Sequence, residues 1–252
     1  GLGDVYKRQQ MDIRFLTAIP VYNEETTLLE TLKRVRDFSN DILVIDDGST
    51  DATSALLNSH PQLKVIRHEK NRGYGGALIT AFEYAIAHGD YEALLTMDCD
   101  GQHDPARALS LIKGLVDADI VSGSRYLDHF STDVEAPNDR LEVNRIITRE
   151  INGLLGFKLT DSFCGYKAYR ISALSRLNIT ENGWGMPLQL WVQAARLGLK
   201  IVEVAVPRIY LDSSRSFGPV LNDPNQRLQY YREVISREIL LSSPLVSVDS
   251  GT

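Results

Sequence analysis

Little in this chain suits a secreted, membrane-embedded or nucleic-acid-bound protein. Only two cysteines, Cys99 and Cys164, stand among 252 residues. That is too few for a disulfide framework, and they form no Cys/His metal-ligand spacing. Reduced thiols in a cytoplasmic protein are the expectation. No apolar run approaches the roughly 18 residues that span a bilayer, so no transmembrane segment is expected, and no signal-peptide pattern is visible. Positive charge is not in excess: 27 Lys and Arg against 33 Asp and Glu leave a formal charge of -6. A nucleic-acid partner is therefore not expected, although an anionic substrate held through a metal or a local arginine cluster is allowed. Internal repeats, low-complexity tracts and an evident linker are missing too, which points to one domain.

What is present is a large apolar fraction, 43%, arranged as alternating strand and helix signals from Arg14 onward. That alternation predicts an α/β fold: a single Rossmann-like domain with a mostly parallel central sheet covered by helices. Strands are expected at Phe15 to Val21 (interrupted by Pro20), Ile42 to Ile45, Lys64 to Arg67, the apolar run from Ala93 that ends in the Asp98 segment, Asp119 to Ser122 and Ile201 to Val206. Between them, Leu28, Leu29, Leu32 and Val35 share one helix face, Ser49 or Thr50 is placed to cap a helix through Leu57, and a glycine-rich loop, Asn71 to Gly76, opens a helix from Ala77 to Ala87. Leu127 to Asp139 reads as a polar loop, Asn144 to Leu155 as a helix, Leu188 to Leu197 as an amphipathic helix and Asp223 to Leu241 as a final helix. Residues 1–10 are patternless and read as a non-native or disordered tail before Met11. The domain is expected over 11–241, with a nucleotide half at 11–126 and an acceptor half at 127–241, and 242–252 as a second tail.

Chemistry concentrates at the strand ends. The fourth strand stops in Asp98-Cys99-Asp100-Gly101-Gln102. Side chains two apart in extended backbone point the same way, so Asp98 and Asp100 are candidates to hold one Mg2+ or Mn2+ that takes its other ligands from water and substrate phosphates. Tyr22, Asn23 and Glu24 follow the first strand, Asp46 and Asp47 the second, and Gly123-Ser124-Arg125 the fifth. Open α/β sheets bind ligands along that edge. The glycines near Gly73 allow close backbone approach at a helix N-terminus, a place that favours anions.

Taken in order, Pro20-Val21-Tyr22-Asn23-Glu24, Asp46-Asp47-Gly48-Ser49-Thr50-Asp51, Asn71-Arg72-Gly73-Tyr74-Gly75-Gly76, Asp98-Cys99-Asp100-Gly101-Gln102-His103, Gly123-Ser124-Arg125 and Asp161-Ser162-Phe163-Cys164-Gly165-Tyr166 resemble the family 2 inverting glycosyltransferases of GT-A fold. Within that family the chain most resembles the dolichyl or polyprenyl phosphate mannose synthase branch. The resemblance implies a nucleoside diphosphate sugar donor, GDP-mannose or UDP-glucose, with base and ribose at Pro20, Tyr22, Glu24, Asp46 and Asp47. It implies metal on Asp98 and Asp100, Gln102 lining the same site, Arg125 beside the diphosphate, and Asp161 as the catalytic base where the acceptor is a hydroxyl. A polyprenyl phosphate, with a second pKa of about 6, is already ionised and needs positive charge instead. Arg145, Arg149 and Arg215 are the candidates for that charge, with Tyr210, Phe217 and the Trp184-Gly185-Met186 region for apolar surface. Where the branch usually has a Gly-x-Ser-Lys type loop, this chain has Ser213-Ser214-Arg215-Ser216-Phe217-Gly218, which leaves the acceptor open. A lipid acceptor implies peripheral association with the inner face of the cell membrane.

Two other readings stand beside it. Asp98-Cys99-Asp100-Gly101 also resembles the Asp-x-Asp-Gly start of haloacid-dehalogenase-type phosphatases, although here it follows the fourth strand and is completed by Gln102. A catalytically silent nucleotide-sugar binding subunit is the other.

Overall fold

The computed structural model describes residues 13–211 and 216–242. Their strands form one seven-stranded sheet. In chain order they are β1 (Phe15–Val21), β2 (Ile42–Asp46), β3 (Lys64–Arg67), β4 (Ala93–Thr96), β5 (Ile120–Ser124), β6 (Lys167–Arg170) and β7 (Ile201–Ala205), laid side by side as β3-β2-β1-β4-β6-β5-β7. β6 runs antiparallel to β4 and β5, and every other pairing is parallel. Pro20 does not interrupt β1: it stays in register opposite Ile45.

The helices are α1 (Leu28–Val35), α2 (Thr53–Asn58), α3 (Tyr74–Ala87), α4 (Ala108–Gly114), α5 (Asn138–Leu155), α6 (Ile171–Leu174), α7 (Met186–Arg196) and α8 (Pro224–Ser242). The strands feed two cores because their side chains alternate. On β2, Leu43 and Ile45 join the cluster built with α3, α5, α7 and α8, whereas Ile42 and Val44 join the one built with α1, α2 and α4.

Several elements depart from the sequence expectation. Leu29 is 41% exposed, because α1 has a narrower buried stripe of Leu28, Leu32 and Val35. Neither Ser49 nor Thr50 caps α2; the Asp51 carboxylate accepts from the Thr53 amide at 2.9 Å instead. Helix α3 starts at Tyr74, so Gly75 and Gly76 are its first turn rather than loop, and Gly76 packs its amide on the Asn182 carbonyl at 3.0 Å. Helix α5 starts at Asn138, six residues before the predicted Asn144, because its first turn is polar and carries no apolar periodicity. Helix α7 is not amphipathic in its setting. Met186 through Ala194 are all buried, since α8 covers the face that the sequence assigns to solvent.

Candidate active site

The ends of β1, β2, β4 and β5 open into one cavity of about 660 Å3. Pro20, Tyr22, Glu24, Asp47, Asn71 and Gly73 line it from the ends of β1 and β2 and the segment after β3, Asp98, Asp100, Gln102 and Arg125 from the ends of β4 and β5, and Arg140, Asn144, Phe163, Trp184, Phe217, Arg227 and Tyr231 from the second half of the chain.

The first two strand ends interlock. Asn23, held at φ 56, accepts from the Thr50 amide at 2.8 Å, while its own amide donates to Ser49 Oγ at 3.0 Å. Asparagine tolerates that left-handed backbone, so the turn needs no glycine. Glu24 is fixed by Thr53 Oγ1, which accepts from its amide at 2.8 Å. Of the two adjacent aspartates, only Asp47 lines the cavity. Asp46 turns into its own loop, accepting from the Ser49 amide at 2.9 Å and the Ser54 hydroxyl, with Arg67 at 3.4 Å. Asp46, expected at the nucleotide, is instead buried behind the cavity wall and bonded within its own turn.

At the end of β4 the two carboxylates Asp98 and Asp100 both face the cavity. The Tyr74 hydroxyl donates to Asp98 at 3.3 Å, and the Gln102 amide donates to Asp100 at 3.0 Å. His103 Nδ1 accepts from the Asp98 amide at 3.0 Å, so its proton sits on Nε2, 3.7 Å from the Asp98 carboxylate. Burial pushes the His103 pKa down to about 4, keeping the ring neutral. Gly165 presses on this site: a Cβ there would lie 2.9 Å from Asp98 Oδ2 and meet the Tyr74 hydroxyl, so any larger residue would push both side chains aside. Among the described residues no group of three or more His, Cys, Asp or Glu is assembled to hold a metal. Two cavity-facing carboxylates without a third protein partner are the donor set that suits a hard divalent ion completing its shell from substrate oxygens. The two thiols take no part. Burial pushes Cys99 up to about 12 and Cys164 to about 11.

Asp161 is the residue whose setting differs most from expectation. It is fully buried and does not line the cavity. Arg125 grips it with two bonds, Nε to Oδ2 at 2.7 Å and Nη2 to Oδ1 at 3.0 Å. The Arg125 amide adds 3.3 Å to Oδ2, and Oδ1 also accepts from Asn144 Nδ2 at 2.8 Å and the Phe163 amide at 3.1 Å. Burial on its own would raise this carboxyl, but the Arg125 charge and these donors hold it down at about 2. A carboxylate so saturated is a poor proton acceptor and a firm anchor for Arg125. The rest of its loop is clamped as well, by Trp191 Nε1 on the Ser162 carbonyl at 2.9 Å, Thr96 Oγ1 on Gly165 at 2.8 Å and the buried Lys167 ammonium on Cys164.

Two of the three arginines expected at the acceptor end are elsewhere. Arg145 and Arg149 are exposed on α5 and do not line the cavity, because its inward face carries Val143, Asn144, Ile147 and Thr148. Arg215 lies outside the described residues, with Ser213 and Ser214. The cavity instead receives Arg140 from the first turn of α5 and Arg227 from α8. Arg227 is only 2% exposed; it donates to Asp139 at 2.7 Å and to the Leu221 carbonyl at 3.1 Å. Both guanidinium groups sit on the Phe217 ring, at 4.5 Å for Arg227 and 5.1 Å for Arg140. Phe217 in turn meets Trp184 edge-on at 5.4 Å, and Trp184 stacks on Tyr74 at 5.1 Å. Trp184, Tyr210 and Phe217 thus line the cavity as the sequence suggests, whereas Met186 is core. Sequence reasoning misses Arg140 and Arg227 because nothing local distinguishes them from solvated helix charges.

A mostly parallel sheet that brings paired carboxylates, a carboxylate-anchored arginine and an aromatic-lined cavity to one edge has the GT-A architecture. Glucosyl-3-phosphoglycerate synthase from Mycobacterium tuberculosis, solved with uridine diphosphate, superposes with a TM-score of 0.69 over 90% of this chain and 80% of that one. At 19% identity this likeness concerns the fold. The same enzyme has also been solved with Mn2+, uridine diphosphate and glucosyl-3-phosphoglycerate, with a TM-score of 0.68, 18% identity and the same coverage. In sequence, residues 17–177 match Glycosyl transferase family 2, and the chain belongs to that family. An undecaprenyl-phosphate mannosyltransferase of Micrococcus luteus is 35% identical over 77% of this chain and 83% of its own length. A polyprenol monophosphomannose synthase of Mycolicibacterium smegmatis is 33% identical over 77% and 76%. Membership of the family leaves no support for the phosphatase reading of Asp98-Cys99-Asp100-Gly101.

Proposed function

We propose that this glycosyltransferase moves a hexose, mannose or glucose, with inversion from a nucleoside diphosphate sugar to a polyprenyl phosphate. The observation that carries this reading is the saturated ion pair between Asp161 and Arg125. A hydroxyl acceptor must give up a proton during attack, and the carboxylate expected by motif to take it is buried, fully hydrogen-bonded and held at about 2. An acceptor phosphate, ionised with a second pKa of about 6, needs no such base.

The rest of the cavity suits that division. Asp47, Glu24, Tyr22, Pro20 and Gly73 form the donor end, where carboxylates and backbone groups meet the base and ribose. Asp98 and Asp100, beside Gln102, would hold Mg2+ or Mn2+, which when bound offsets charge on the departing nucleoside diphosphate. Arg125 adds a permanent positive charge, its side chain 19% exposed and fixed in direction by Asp161. Arg140 and Arg227 supply the cationic acceptor end, and Trp184, Phe217, Phe163 and Tyr231 an apolar wall for the first isoprene units. The lipid and mannosyl specificities printed in the relatives' names agree with this assignment. Residues 11–126 then serve as the nucleotide half and 127–241 as the acceptor half. Among the described residues no helix is long and apolar enough to cross a membrane. With a lipid acceptor, the reading places the enzyme in the cytoplasm, meeting its lipid peripherally at the inner face of the cell membrane.

The test supplies purified protein with manganese, a polyprenyl phosphate and labelled GDP-mannose or UDP-glucose in parallel. Label entering the organic phase from one of the two donors is the expected result. Donor binding without any extracted label would contradict the lipid acceptor.

A further inference from the structure

Asp47 lies at the donor end of the cavity, yet it is not a freely rotating carboxylate. Three donors from the segment after β3 converge on it: His68 Nδ1 at 2.6 Å and the Arg72 amide at 2.9 Å on Oδ1, and the Gly73 amide at 2.9 Å on Oδ2. The Gly73 amide reaches it from a backbone at φ 92 packed against the Asn182 carbonyl, a place for glycine alone, and it also leans on Asn71 Oδ1 at 3.0 Å. Each carboxylate oxygen has two lone pairs. Oδ1 thus takes two donors and Oδ2 one, so Oδ2 has the more room for a donor from the cavity that Asp47 lines.

His68 is the only side chain among these three donors, and it is itself braced. It is 7% exposed, and its Nε2 lies 2.9 Å from Thr80 Oγ1 on α3, with Arg72 Nη1 3.5 Å from both atoms. A carboxylate only accepts, so Nδ1 carries a proton and donates to Asp47, while Nε2 faces Thr80 Oγ1 and Arg72 Nη1. Thr80 Oγ1 also approaches the Gly76 carbonyl in the first turn of α3, at 3.2 Å. The chain Thr80, His68, Asp47 thus ties the carboxylate's aim to the helix that borders the cavity.

We propose that His68 is a positioning residue for donor recognition. It holds Asp47 in the one rotamer that presents Oδ2 to an N–H or ribose O–H of the nucleotide. The inference rests on the reading of the Asp47 end as the nucleotide subsite. It predicts that His68 governs donor affinity while leaving turnover at saturating donor close to normal, because the ring touches neither the paired carboxylates nor Arg125.

Calorimetric titration of GDP and UDP in the presence of Mn2+ tests it, on wild type, His68→Leu, His68→Asn and His68→Gln, alongside steady-state kinetics. Loss of one charge-assisted bond to a buried carboxylate should weaken the preferred nucleotide about tenfold in His68→Leu and raise the donor KM by the same factor, with kcat falling less than about twofold. Asn, whose amide nitrogen replaces Nδ1, should restore most of the affinity. Gln, which reaches toward Thr80 instead, should not. Should His68→Leu fail to fold, the contrast between Asn and Gln carries the same decision. A folded His68→Leu protein that binds like wild type, or one that loses kcat with Kd and KM unchanged, overturns the inference alone. Wild-type protein that binds neither nucleotide overturns the nucleotide subsite and this inference with it.

Discussion

Asp100→Ala is expected to lower turnover by about a thousandfold or more, and dialysis of the wild-type protein against a chelator to do the same until manganese is restored. Both carboxylates face the cavity, and no third acidic, histidine or cysteine ligand joins them among the described residues. With so few protein ligands, removal of one leaves a divalent ion with little to hold it. The leaving diphosphate would then depart with its charge met by Arg125 alone, and loss of such stabilisation costs several kcal/mol of barrier. The fold should be spared, since Asp100 is only half-buried, in the bend after β4, where the Gln102 amide donates to it. An unchanged melting temperature with abolished activity is the expected pair of results, and full activity after chelation would remove the metal from the reaction.

The second large effect is on Asp161→Asn, and it should appear in stability as well as rate. The substitution removes the negative partner of Arg125 and turns an amide donor toward one of the guanidinium or backbone donors that now meet an oxygen. Breaking a buried ion pair from one side costs about 3 kcal/mol or more, because the remaining charge stays desolvated. Turnover should drop at least about a hundredfold as Arg125 loses its aim. Loss of activity alone would not separate an anchor from a base, so stability is the deciding readout. Linkage gives a further check. The folded carboxyl is held at about 2 against an ordinary 3.8, so its stabilisation is present above 3.8 and is lost as pH falls through that window toward 2. Wild-type melting should fall across that interval more steeply than that of the variant. A variant that melts like wild type and merely turns over slowly would restore Asp161 to the role of base.

Much of the scaffold is legible in the sequence because strand formation is local. Runs such as Ile42 to Ile45 and Ala93 to Thr96 are apolar or β-branched, and their ends carry the polar motifs that reach the cavity. The paired carboxylates, Asp47 and Arg125 follow from that logic. What local pattern does not carry is which charge meets which. Asp161 and Arg125 are 36 residues apart, Asp47 and His68 21, Arg227 and Asp139 88. The identity of a base, an anchor or an acceptor arginine is decided in those long-range pairs. Arg145 and Arg149 look like a cationic face on the α5 helix, but they lie opposite the stripe that packs inward, while Arg140, in a first turn that precedes the helix expected from the sequence, is delivered to the cavity. The burial of α7 on both faces is likewise set by α8, some thirty residues further on.

The central claim is that the acceptor arrives already ionised, so that no residue has to serve as its base. The most direct measurement offers the enzyme, with its preferred labelled donor and manganese, a polyprenyl phosphate and the corresponding polyprenol of equal chain length. Label is expected in the lipid extract only when the phosphate is present. Transfer to the free alcohol at a comparable rate would contradict the claim and require a base that the Asp161–Arg125 pair does not provide.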